Sequence, residues 1–333
     1  MGADPLTGRL TPVTLNDKRA ELMLGALACV VLIVILVMVI SVVTKAWPSF
    51  SHNGLGWFGS GPSVDHQLAD IFNSPAGEKN ADYKLNAWPL LYGTALITGG
   101  ALILGIVFAL LSAIFIVEFA PRPLQRVLEP VVRLLAAVPS VIYGLIGVLV
   151  LVPFVGNHLI STSRKESVIY VVQLSGGSLL VAVLILTVMI TPIMVALIVV
   201  ALRAVPVGWR EGSAALGVNR WRTVWTISVR AIRPAIIAAA VLASARALGE
   251  AIMLSMVSGS VGFAPNPLDG LTFFFEPARP LAAAIVEGSE GFSVKPYGET
   301  LYAFGAILLL SSLLLSLGAH YAKRPLRRFG LTP

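Results

Sequence analysis

The stretch AIIAAAVLASARALGEAIMLSMVSG, Ala235 to Gly259, decides the fold. It is long enough to cross a bilayer, yet it carries an arginine, Arg246, and a glutamate, Glu250, where charge is hardest to keep. Counted as a span, it completes a bundle of six. Counted as a loop, it leaves five and reverses the side on which the chain ends.

The surrounding composition argues for a span. The chain of 333 residues is 56% hydrophobic and only 12% charged, and its mean hydropathy is +0.86. That is far more apolar than a soluble domain of any fold. Five other runs carry no Asp, Glu, Lys or Arg: Leu22 to Val43, Trp88 to Val117, Leu134 to Val155, Val168 to Leu202 and Thr300 to Ala322. Each supplies the roughly 20 residues that a membrane helix needs. None alternates polar with apolar as the strands of a membrane barrel must. The expectation is an all-α, polytopic protein of six transmembrane helices. It has a polar N-terminal segment (1–21), a membrane domain (22–322) that contains a connecting loop at 204–234, and a basic tail (323–333).

Six spans put both termini on one side, and the basic residues choose which. Sixteen Lys and Arg fall in the N-terminus, 118–133, 203–234 and the tail, against seven in the three alternate loops. The positive-inside rule therefore places both termini in the cytoplasm. The net charge of +7 follows from topology and calls for no nucleic acid. Lys323, Arg324, Arg327 and Arg328 read as an anchor beside anionic membrane lipid. The first apolar run is too long for a signal peptide and is expected to remain as helix 1. Its lone cysteine, Cys29, has no partner for a disulfide and reads as a small core residue.

Enzyme signatures are absent from the sequence. It holds no GxxxxGK[ST] loop and no HExxH, and His52, His66, His158 and His320 lack metal-ligand spacing, so no metal or cofactor is expected in this chain. Gly54, Gly56 and Gly59 satisfy GxGxxG, but no strand precedes them and no helix follows, so they read as a connector.

Two loops suit either contact with a partner or anchoring at the membrane interface by their aromatic residues, and spacing alone does not choose between these. After helix 4, Pro206 and Gly208 break the chain, Trp209 to Leu216 suits a short helix, and Gly217 is placed for its left-handed C-terminal cap. Trp221, Val224, Trp225 and Ile227 to Val229 then resume an amphipathic pattern, which completes a helix-turn-helix bracket. Beyond helix 5, the loop Gly262 to Glu299 holds Phe273 to Phe275 and a segment, Pro280 to Val286, expected to form one or two turns at the outer interface. With loop 44–87 it offers a surface where a soluble binding protein would dock.

Within the bracket, Glu211, Gly217 six residues on and Ile227 ten further resemble the EAA loop of ABC importer permeases. Gly212 and Ser213 stand where that pattern has alanines, and Val229-Arg230 where it has Leu-Pro. AWPLLYGTALIT (Ala87 to Thr98), VPSVIYG (Val138 to Gly144) and ARALGEAIML are similar to the PstC family, the permeases of phosphate ABC importers. The resemblance implies the type I importer fold and a coupling helix, containing Arg210, Glu211, Ala214, Gly217 and Ile227, that docks on an ATPase. It also implies a PstA-like second permease, a PstB-like ATPase dimer that binds ATP and Mg, and a PstS-like extracytoplasmic phosphate-binding protein.

An arginine near the bilayer centre costs about 2.5 to 3.5 kcal/mol on insertion scales, so it normally faces a bundle interior or a wet cavity. Arg246 and Glu250, spaced i and i+4, share one helix face, and the guanidinium fork suits phosphate oxygens while the carboxylate orients it. Ser140 and Tyr143 beside Pro139 are lesser candidates for the path, as are Thr187 and Thr191 beside Pro192, where satisfying a kinked backbone is the competing role. Two other readings stay open: an ABC permease for another oxyanion, such as sulfate or molybdate, and an ion-coupled secondary carrier. The carrier is disfavoured by the absence of an inverted repeat and by a bracket it would not use.

Overall fold

The computed structural model describes residues 15–61, 63–74, 82–168 and 173–323. The basic tail from Arg324 onward lies outside them, as does most of the segment 1–21. Among the described residues, five helices are long and apolar enough to cross a membrane, and six if the bent pair Arg220–Ala231 with Arg233–Leu248 counts as one span.

Helix α1, Leu15–Asn53, is exposed along almost all of its length and meets the rest of the chain chiefly through the last helix. Cys29 lies on this exposed surface rather than in a core. A short helix α2, Val64–Asn73, is capped by Ser63, whose hydroxyl accepts from the Asp65 amide at 3.3 Å. The glycine connector before it forms a tight turn, Gly54–Phe58, that buries Trp57. Helix α3, Trp88–Ile114, continues through a π turn to Phe119, and α6, Leu179–Arg203, packs along it to form the main core.

The third span differs from the expected Leu134 to Val155. Arg122–Ala137 is a separate amphipathic helix, α4, with no fully buried residue, and the span α5 is Ser140–Leu159. Proline explains the boundary, because Pro139 disfavours the helical conformation at Val138, whose ψ is 130°. Arg122, Arg126 and Arg133 fall on one face at helical spacing, a period hidden by reading the segment as a loop.

The bracket is α7, Val207–Ala215, and α8, Arg220–Ala231. The latter meets α9, Arg233–Leu248, at a 67° bend. The expected unbroken helix from Ala235 to Gly259 is not formed. Helix α9 stops at Leu248, Gly249 to Ala251 run without helix, and α10, Ile252–Val257, follows. The helix tightens as it ends: the Gly249 amide donates to the Arg246 carbonyl at 3.1 Å and the Glu250 amide to the Ala247 carbonyl at 3.3 Å, each three residues back.

Helix α11 is Leu281–Glu287. The expected short helix is formed, and it buries Leu281 to Ala284, with the Leu281 amide donating to Thr94 Oγ1 at 2.9 Å. The last helix, α12, is Tyr297–Lys323. It joins the end of α1, α2 and α11 in a second, smaller core around Trp57 and Phe304. The molecule thus has two ends: α2, α11 and the starts of α3 and α12 at one, α4, α7 and α8 at the other.

Candidate functional site

Helix α9 buries Ala239, Ala243, Ser244 and Ala247 against its neighbours, so Leu242, Ala245 and Arg246 come to the opposite, exposed flank. The small residues let α9 approach the bundle closely, and that approach pushes the arginine outward. Arg246 lies about 20 Å along the axis from Arg233, at 1.5 Å per residue. It occupies the last turn of α9, where the backbone carbonyls favour a cation. Glu250, in the break, brings Oε1 to 3.9 Å from Arg246 Nε, with side-chain exposures of 12% for the acid and 38% for the base. The spacing expected from one continuous helix therefore survives as a contact across a helix end. The guanidinium remains partly open while the carboxylate steadies it from behind.

The break is held by tight packing on α5. A Cβ on Gly144 would meet the Met253 Cα at 3.1 Å and the Met256 Sδ at 2.9 Å, so a larger residue here would have to push α10 away from α5. Tyr143 is buried next to it. Its hydroxyl donates to the Leu135 carbonyl at 2.9 Å, tying α5 back to α4 across the proline break. Ser140, half-buried, opens α5. Thr187 and Thr191 each donate to the carbonyl four residues back at 2.7 Å, so both hydroxyls are taken up within α6.

At the other end, the bracket has the expected cap. Gly217 has φ +73°, its amide donates to the Ala214 carbonyl at 2.9 Å, and Val218 donates to Ser213 at 3.2 Å. Asn219 caps α8 through the Arg222 amide at 2.8 Å. Ser213 and Thr223 share a 2.7 Å hydroxyl contact that closes the bracket on itself. Glu211, Ala214 and Gly217 face outward, and Ile227 is half-buried in the π turn of α8. Arg210 turns inward instead. Its Nη1 lies 3.2 Å from Oε1 of the buried Glu118, and its Nη2 donates to the Leu202 carbonyl at 2.6 Å. One side chain thus pins α7 to the ends of both α3 and α6.

Sequence reasoning missed Glu118, whose only signal was a lone acid closing an apolar run. It also missed the cluster at the far end, where Arg279 reaches Asp65 at 2.5 Å and Glu287 at 2.9 Å. Burial pushes the Glu287 carboxyl above its ordinary range despite Ser260 and Arg279 beside it. Tyr83 donates to Glu299 at 2.6 Å, and burial with that bond pushes its phenol up to about 12.

Several membrane-crossing helices, one of them interrupted, and a helical bracket pinned to the bundle end define a multi-pass permease of the ABC importer type. The chain belongs to the family of binding-protein-dependent transport system inner membrane components, which matches residues 101–328. It is 30% identical over 311 residues to the probable ABC transporter permease protein YqgH of Bacillus subtilis, covering 92% of this chain and 91% of that protein. It is 31% identical over 260 residues to the phosphate transport system permease protein PstC 1 of Mycobacterium tuberculosis, covering 74% of each. Among solved structures, a chain of a bacterial alginate ABC transporter superposes with a TM-score of 0.57 at 15% identity, over 95% of this chain and 98% of that one. A chain of the MetNI methionine ABC transporter gives 0.51 at 16%, over 74% and 97%. These two are alike in fold.

Proposed function

We propose that this chain is the PstC-like permease subunit of an ATP-driven phosphate importer. The observation that carries the proposal is the position of Arg246 on the exposed flank of α9 at the helix break. There a second, PstA-like permease packed on that flank would enclose a path with a guanidinium in its wall. Phosphate as the substrate draws on the likeness to PstC proteins over three quarters of the chain and on the fit of a guanidinium fork to phosphate oxygens.

In this reading both termini are cytoplasmic, and a PstS-like protein delivers phosphate to the face formed by α2 and α11. A PstB-like dimer, which binds ATP and Mg, grips the bracket in loop 204–234 through Glu211, Ala214 and Gly217, with Ile227 supporting α8 and Arg210 holding α7 to the bundle. Closure of the ATPases moves α7, and through Arg210 it moves the ends of α3 and α6. Arg246 meets the anion, and Glu250 limits the net charge so that the anion leaves again. Ser140 and Tyr143 line the path beside them. This chain itself makes and breaks no bonds.

The test is ATP hydrolysis by the reconstituted complex with phosphate-loaded or sulfate-loaded binding protein. Stimulation by the phosphate-loaded form is expected, and stimulation by sulfate alone would overturn the substrate assignment.

A further inference from the structure

Ser260 is, among the described residues, the one non-glycine with a positive φ, 47°. Backbone of this kind persists only where the surrounding structure holds it. The Ser260 hydroxyl meets the Ser255 carbonyl of α10 at 3.0 Å, and it also meets Oε1 of Glu287, the last residue of α11. A hydroxyl has one proton to donate, and this one faces two oxygens. Both contacts are full hydrogen bonds only if Ser260 donates to the carbonyl while the carboxyl of Glu287 donates to Ser260.

The surroundings of Glu287 favour that protonated form. Two acids share Arg279, and they are placed differently. Asp65 lies in the first turn of α2, accepts from the Gly262 amide at 2.8 Å and pairs with Arg279 Nη1, so it is suited to carry the negative charge. Glu287 ends α11, where the helix carbonyls disfavour an anion, and its side chain is only 27% exposed. Burial, the largest influence on its carboxyl, acts in the same direction. Arg279 Nε is 2.9 Å from Glu287 Oε2 but makes no aligned hydrogen bond with it. Tyr297, at the start of α12, is the remaining titratable group that faces the acid.

From this arrangement we infer that Glu287 holds a proton and donates it to Ser260, forming a proton-dependent latch between α10 and α11. When the proton passes to water, Ser260 is a single donor between two acceptors, and its link to one of the helices is given up. The stabilisation is present while the carboxyl is protonated and is lost as pH rises through its raised value. Helix α10 begins directly after Gly249 to Ala251, so the latch anchors the far side of the break that sets Glu250 beside Arg246. The latch does not depend on which anion is transported.

The test is hydrogen–deuterium exchange, read by mass spectrometry on the complex purified through this chain and corrected for the intrinsic rate at each pH. The peptide that contains Ile252–Val257 is followed from pH 4.5 upward in wild type, Glu287→Gln and Ser260→Gly. Glutamine keeps a donor at every pH, and glycine keeps the left-handed backbone without the hydroxyl. In wild type the protection of α10 should fall at least about tenfold as pH rises. Glu287→Gln should hold the low-pH protection throughout, and Ser260→Gly should show the weaker protection throughout. A simple ion pair between Glu287 and Arg279 gives the opposite result for Glu287→Gln, weaker protection at every pH, and that outcome would overturn the latch. So would a wild type whose α10 protection is independent of pH, or a Ser260→Gly variant that responds to pH as wild type does. The peptide Arg220–Ala231 in the bracket serves as the control, and an equal pH response there would mark general unfolding and overturn the inference as well.

Discussion

Replacing Arg210 with methionine removes the side chain that ties the bracket to the bundle. Glu118, with 6% of its side chain exposed, would then be a buried carboxylate without its cation, and the Leu202 carbonyl would lose its donor. Breaking a buried pair costs about 3 to 5 kcal/mol. Two observations lower that figure: Arg210 is 25% exposed, and Glu118 Oε1 and Arg210 Nε make no hydrogen bond, so the contact is one of charge without aligned geometry. A loss of about 2 to 3 kcal/mol follows. Arg210→Met/Glu118→Met leaves no orphaned charge and should recover most of it, giving a coupling energy of about 2 kcal/mol. The assay is denaturant unfolding of the purified complex, followed by tryptophan fluorescence. Three of the chain's six tryptophans, Trp209, Trp221 and Trp225, lie in the bracket, and Trp221 meets Phe119 tilted at 6.2 Å and Trp225 edge-on at 5.6 Å, so the bracket contributes to the signal. A single variant within about 0.5 kcal/mol of wild type, the usual range for a surface substitution, would refute the reasoning. So would a double variant equal to the sum of the two singles.

Three further outcomes follow from the geometry. Gly217→Ala puts a Cβ on a residue at φ +73° and should destabilise the bracket by about 1 to 2 kcal/mol, while Gly217→Asn should cost less; paired melting curves separate them. Gly144→Val should cost about 1 to 3 kcal/mol through overpacking against Met253 and Met256, and a neutral result would mean that the break is not held as described. Because Glu287 binds its proton more tightly when folded, the stability it contributes is full below its ordinary pKa of 4.5 and is lost as pH rises through the raised value. Melting temperature measured upward from pH 4.5 should therefore fall less steeply in Glu287→Gln, and an unchanged slope would contradict this.

The spans were legible because charge is costly in hydrocarbon, so charge-free runs mark helices whatever else they do. The bracket was legible because proline, glycine and alternating tryptophan and arginine each have local causes, and Gly217 adopted the left-handed cap its position implied. What failed were boundaries inside apolar sequence. Nothing in composition separates Leu134 to Ala137 from the span that follows, and only the restriction that Pro139 places on Val138 does so. The end of α9 at Leu248 has no mark in the apolar pattern, because it is made by backbone bonds three residues back at Gly249 and Glu250. Glu118 with Arg210, and Arg279 with Asp65 and Glu287, pair residues far apart in the chain. Such pairs become visible only once the helices are stacked.

The most direct measurement of the central claim is uptake of labelled phosphate by proteoliposomes containing the complex with Arg246→Leu, alongside a check that all subunits still co-purify. The account predicts that uptake is abolished while assembly is intact, since the substitution removes the one guanidinium at the break of α9 and touches none of the contacts that hold the bracket. Uptake at the wild-type rate by the assembled variant would contradict it.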